Sequence, residues 1–182
     1  MNEAGLAVGM ADVPGDDVPP DPAKPTIGSL GVIREMLDHA ASVEEAIALL
    51  LAHNIDFSGG PPLHYLLADR TGRAAVVEHY GGSVHVTYNE GPWLRATNFL
   101  VGEAGEATNG RCWRYDQIGQ RLGQAGGKMT PAEAMDLLAS VGQQNTQWSV
   151  VYGMATGAVQ VVMGRSRDAV HRFDLPTRAA SP

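Results

Sequence analysis

The sequence predicts an α+β domain built on antiparallel sheet, and three observations carry that prediction. Strand-like and helix-like runs come in blocks instead of strict alternation, which argues against a doubly wound parallel sheet. Four short β-branched or aromatic runs follow one another with only "RTGR", "GG" and "EGP" between them, the pattern of a meander. A last pair of such runs flanks "ATG", the pattern of a closing hairpin. At 182 residues, 44% of them hydrophobic, the chain is long enough for one domain with a sizeable core.

Taken in order, residues 6–10 of the opening "MNEAGLAVGM" read as a buried strand. Residues 12–29 hold five prolines and four aspartates and read as a long loop, a lid or binding loop on one view and a disordered insertion on the other. From Gly28 the spacing of Ile33, Leu37 and Ala40 is helical. Ser42-Val43-Glu44-Glu45 is a capping box that starts a second helix with Ala46, Ile47, Leu50 and Leu51 on its buried face, running to about His53. The meander is expected over 63–69, 74–80, 83–89 and 93–99, with Tyr80-Gly81-Gly82-Ser83 as a tight two-residue hairpin. A helix is expected from about Arg111 to Leu122. Thr130-Pro131-Ala132-Glu133 carries the start signals of another, with Ala134, Leu138 and Val141 as its stripe. Residues 146–154 and 158–164 form the closing hairpin, which must find further strands to pair with. The domain is placed at 1–167, with 168–182 a polar, frayed tail.

Composition narrows the function. Thirteen Lys plus Arg against twenty Asp plus Glu gives a net charge of −7 with no basic cluster, so neither nucleic acid nor a membrane surface is an expected partner. The sequence has neither a spanning apolar run nor a signal peptide, and the compartment stays open, cytoplasmic by default. One cysteine, Cys112, excludes an internal disulfide and a cysteine-rich metal site. Glu78 and His85 face each other across the 80–83 hairpin, with His79 on the opposite face. Without helical ligand spacing, they read as a half-exposed hydrogen-bonded surface pair, and no metal is expected. Cys112 lies between two arginines that would lower its pKa, but no base adjoins it. Thr97-Asn98 sits at the end of the meander's expected last strand, where a side-chain amide could stabilise an oxyanion or simply make a turn.

These pieces resemble, in order, the linear amide C–N hydrolases: choloylglycine hydrolase, penicillin V acylase and the acyl-coenzyme A:isopenicillin N acyltransferase group. The resemblance runs through "MNEAGLAVGM", "IREMLDHAASVEEAIALL", "HYLLADRTGRAAVVE", "ATNFL", "WRYDQI" and "TQWSVVYGMATGAVQV", covering about residues 1–164. It implies an N-terminal nucleophile fold, an αββα sandwich of two antiparallel sheets between helix layers. It also implies cysteine chemistry through an acyl-enzyme on a small-molecule amide or acyl substrate, with no cofactor. Carried over residue by residue, it makes Asn98 the oxyanion donor and Arg114 the arginine lining the catalytic site, with Arg111 the competitor one turn away.

Two departures qualify what the resemblance implies. Where the family has a second oxyanion-hole asparagine, this chain has Asp12, and where it often has another asparagine, this chain has His64. The N-terminal cysteine and the arginine and aspartate that follow it in the family have no counterpart, and Cys112 lies mid-chain. The expectation is therefore the C-terminal majority of such an enzyme, inactive alone. The alternatives are a non-catalytic ligand- or partner-binding domain, or one subunit of a split enzyme. Missing strands would leave apolar edges, so the chain is expected to associate with itself or with the missing N-terminal segment.

Overall fold

The computed structural model of the chain describes residues 1–16, 18–104, 108, 110–165 and 169–177. Its first half runs β1 (Ala7–Asp12), β2 (Thr26–Gly28), α1 (Gly31–His39), α2 (Val43–Leu51), β3 (Asn54–Asp56), β4 (Leu63–Ala68), β5 (Ala74–Tyr80) and β6 (Ser83–Tyr88). The second half runs α3 (Val101–Ala104), α4 (Trp113–Gln124), α5 (Pro131–Ser140), β7 (Trp148–Gly153), β8 (Ala158–Met163) and β9 (Val170–Asp174).

The α+β class holds, with both larger sheets antiparallel. One sheet has the order β1-β4-β5-β6, the other β7-β8-β9, and β2 pairs with β3 in parallel. The hairpin turn at Gly81 and Gly82 has φ +57° and +72°, as a two-residue turn with both central positions left-handed requires. Tyr65, Leu67, Ala75 and Val77 are fully buried against Val32 and Met36 of α1 and Val43, Ala46 and Leu50 of α2. Each buried Val, Leu or Met side chain among these contributes about 1.5–3 kcal/mol of burial. The helix layer is pinned electrostatically as well. Buried Asp69, in the β4–β5 turn, accepts from the amide of Val43, the first residue of α2, at 3.0 Å. Burial pushes its carboxyl up, but bonds from Thr71, Val43 and Arg73 outweigh that and hold it below the usual range.

Several expectations need correction. Residues 93–99 form no strand. The Asn89 side chain closes the end of β6 by accepting from Ala74 and donating to Gly72 and Gly91. Arg95 then turns to α4, where its guanidinium lies 3.7 Å over the Tyr115 ring and donates to the Tyr115 carbonyl. The meander thus has three strands, and β1 supplies the fourth. β1 itself is an edge strand with Gly9 and Met10 exposed, not a buried one. The Pro/Asp loop is shorter than residues 12–29, because Asp12 belongs to β1 and Thr26–Gly28 pairs with β3. Part of the expected tail is ordered, since Val170–Asp174 extends the closing hairpin into three strands. Leu51 is 40% exposed, because α2 ends there and turns it off the sheet.

The capping signals translate closely. Thr130 forms the full reciprocal box with Glu133, and Pro131 opens α5. At Ser42 the hydroxyl accepts from the Glu45 amide at 3.2 Å, whereas the Glu45 carboxylate reaches one residue further back, to the Ala41 amide. No helix among the described residues is long and apolar enough to cross a membrane.

Candidate functional site

The three site residues singled out in the sequence meet in space. Asp12 ends β1, Asn98 lies in the irregular segment between β6 and α3, and Arg114 is the second residue of α4. The Asn98 amide donates to the Asp12 carbonyl at 3.0 Å and to its carboxylate Oδ1. Arg114 Nη2 donates to Asn98 Oδ1 at 2.8 Å. With its oxygen turned to the guanidinium, the Gln143 side chain accepts from Nε and Nη2 of Arg114 at 3.2 and 3.3 Å. Arg114 reaches Asn98, and Arg111 is exposed.

Cys112 is the N-cap of α4 and is half-buried. Burial pushes its thiol up. The amides of Tyr115 and Arg114, the Thr97 hydroxyl and the Arg114 charge together bring it below the usual cysteine value. The sequence points to the charge of neighbouring arginines as the cause; in the fold the helix-end amides and Thr97 contribute more than the Arg114 charge.

A second arrangement escaped the sequence reading. Glu78 does face His85 in register, but it is no surface residue: it is 0% exposed. Its Oε1 lies 3.1 Å from Nδ1 of buried His64 and accepts from the Val101 amide at 2.7 Å, while Oε2 accepts from the Gly102 amide at 2.7 Å. His85 instead stacks on Tyr80 with ring centroids 3.8 Å apart. Burial pushes the Glu78 carboxyl up, but His64 and the two amides outweigh it, and the group stays below the usual carboxylate range. Glu78 thereby ties the start of α3, three residues past Asn98, to the centre of the sheet. One signal for it was present. "AAVVEHY" opens with four consecutive apolar residues, and such a run marks a strand covered on both faces.

A cavity of about 530 Å³ opens between loop 13–25 and the segment after β3, with Val18, Pro20, Asn54, Asp56, Phe57 and Pro62 among its walls. The Val13 amide donates to the Pro62 carbonyl at 3.1 Å, which sets this cleft beside Asp12. Among the described residues no group of three or more His, Cys, Asp and Glu side chains converges as a metal site would require.

Residues 1–94, just over half of the chain, match the linear amide C–N hydrolases, choloylglycine hydrolase family. No curated protein sequence matches. Among solved structures, penicillin V acylase from Agrobacterium tumefaciens superposes with a TM-score of 0.74 at 20% identity, over 96% of this chain and 65% of that one. A variant of conjugated bile acid hydrolase from Clostridium perfringens gives 0.72 at 17% identity, over 96% of this chain and 71% of that one. At such identities the likeness establishes the fold, an α+β arrangement of antiparallel sheets and helices like theirs. The chain spans slightly less than two thirds of the acylase's length.

Proposed function

This chain belongs to the choloylglycine hydrolase family of linear amide C–N hydrolases, and from that premise we propose that it furnishes the oxyanion-binding part of an enzyme acting through a cysteine acyl-enzyme. A cysteine thiolate supplied from outside these 182 residues attacks the amide carbonyl carbon, and the carbonyl π electrons move onto oxygen. The Asn98 amide donates to that oxyanion. Collapse breaks the C–N bond, and the amine leaves with the proton that the cysteine's own α-amine took from the thiol; water or another amine then attacks the thioester, the C–S bond breaks, and the attacker's proton returns to the thiolate through the same α-amine.

The hydrogen-bonded chain Arg114–Asn98–Asp12 carries this reading. A guanidinium has no acceptor, so Arg114 fixes which end of the Asn98 amide is oxygen and aims its two N–H bonds the other way. Asp12 holds those N–H bonds in the absence of substrate, and the developing oxyanion takes one of them over. The 530 Å³ cleft beside Asp12 receives the substrate's apolar part. Cys112 does not serve as the nucleophile: its nitrogen is a peptide amide in mid-chain, so it lacks the free α-amine that would act as base.

Two measurements test the proposal. Coding DNA upstream is expected to continue in frame to a cysteine at a processing-type site; an immediate stop codon sinks this reading. The chain assayed alone with penicillin V and conjugated bile acids is expected to be silent, and thiol-dependent turnover by it would move the chemistry to Cys112.

A further inference from the structure

The described residues of the proline- and aspartate-rich loop 13–25 are fastened over the Asp12 end of the four-stranded sheet. The Val13 amide donates to Pro62 and the Asp16 amide to the His79 carbonyl, both at 3.1 Å. Asn54 grips the loop with both ends of its side-chain amide. Its Oδ1 accepts from the Asp21 amide at 2.8 Å, and its Nδ2 donates to the carbonyls of Asp21 and Lys24 at 2.8 and 3.0 Å. Under this roof lies a cavity of about 80 Å³ with Val18, Pro19, Leu50, Ile55, Val84 and His79 in its walls. It shares Val18, Asn54 and Ile55 with the larger cleft, so the two adjoin.

His79 is 3% exposed, and neither of its ring nitrogens has a hydrogen-bond partner. Burial pushes its pKa down to about 4, so the imidazole is neutral at pH 7 and carries one N–H and one lone pair. The rings of Phe57 and Tyr65 stand edge-on to it at 5.2 and 6.3 Å and offer no partner. Other polar groups of the wall are engaged: His53 Nδ1 lies 2.8 Å from the Leu49 carbonyl, and Asn54 is committed to the loop. A buried donor and acceptor left unmet are costly, so the site is built for a group that supplies them.

We propose that this cavity is a binding subsite for the hydroxyl or primary-amide end of a small uncharged molecule, with His79 as its polar anchor and loop 13–25 as its roof. The volume suits such an end group, being room for about two water molecules. Charge is disfavoured. Asp21 and Lys24 are exposed and opposite in sign, and the inner walls are aliphatic with a neutral ring, so an entering ion would shed water without meeting a counter-charge. The subsite uses none of Asp12, Asn98 or Arg114, and it stands or falls apart from the acyl-transfer reading.

The test uses the full chain with ¹⁵N-labelled histidine, titrated with propan-1-ol and acetamide and, as charged counterparts, acetate and methylammonium. The uncharged probes are expected to move the His79 ring resonances saturably, with affinity at least about tenfold above that of the ions. His79→Phe keeps an apolar wall, removes both nitrogens and is expected to weaken propan-1-ol by at least about tenfold. Asn54→Ala unfastens the roof with His79 in place, is also expected to weaken binding, and keeps the test readable should His79→Phe fail to fold. Resonances that ignore every probe, equal response to ions and alcohols, or undiminished affinity in both variants would overturn the proposal. So would a structure at saturating propan-1-ol with only water on the His79 nitrogens.

Discussion

Asn98 and Glu78 show how differently two polar side chains a few ångströms from a sheet are held. Asn98 is exposed and kept in place by Arg114 and Asp12, so its loss removes a donor without opening a hole. On the proposed function, with a cysteine nucleophile supplied, Asn98→Ala is expected to lower kcat by about 10²–10³ with melting unchanged, read by steady-state kinetics beside calorimetry. Glu78 is the opposite case, because its carboxylate satisfies His64 and two α3 amides out of water. Glu78→Ala should destabilise the fold by about 3–5 kcal/mol in urea denaturation, since it strands those partners. The pH dependence has a definite sign. The folded carboxyl sits below its ordinary value, so the unfolded chain takes up the proton first as acid is added. Its stabilisation is complete above the ordinary glutamate pKa and is lost as pH falls through the lowered folded value. Glu78→Gln should flatten that part of a stability–pH curve; an unchanged acid limb would show that Glu78 is not its source.

At the scale of elements, α3 matters more than its four residues suggest. A helix this short has no stability of its own, and its position rests on the two amides given to Glu78. Gly102 makes that approach possible: a Cβ there would lie 2.8 Å from the Tyr80 hydroxyl and 3.1 Å from Glu78 Oε2. Gly102→Ala is therefore expected to push α3 off the sheet. The observable is a shift of the Thr97–Val101 amide resonances together with a lowered melting temperature; spectra that overlay the native ones would count against the clamp. The α5 cap, in contrast, is local, formed by Thr130 and Glu133 three residues apart.

Across the whole molecule, apolar surface is distributed unevenly. Trp148, Tyr152, Met163 and Phe173 share one face of β7-β8-β9 by register and are 62%, 40%, 57% and 56% exposed. Edge strand β1 adds Met10, 53% exposed. Exposed apolar faces and open strand edges promote association. Sedimentation of the chain is expected to show concentration-dependent self-association, reduced by Trp148→Ser with Phe173→Ser. A monomer at all concentrations would mean that this face is tolerated in water.

What the sequence determined by itself was everything encoded within a few residues or in the order of pieces. The Thr130 box, the Gly81–Gly82 turn, the Glu78–His85 register and the α+β block order are local or sequential, and each followed from spacing and backbone chemistry. The family was legible too, because its motifs recur in order along the chain. Only the tertiary structure decided where polar groups lie relative to distant segments. Residues 93–99 carry strand-like side chains, yet Arg95 finds its partner on α4; Glu78 looks like an exposed strand residue until α3 folds over it. Nothing in the 12–29 run showed that Asn54 and the His79 carbonyl, far along the chain, would hydrogen-bond to it. Burial and hydrogen-bond partnership are properties of long-range contact, and no window of sequence contains them.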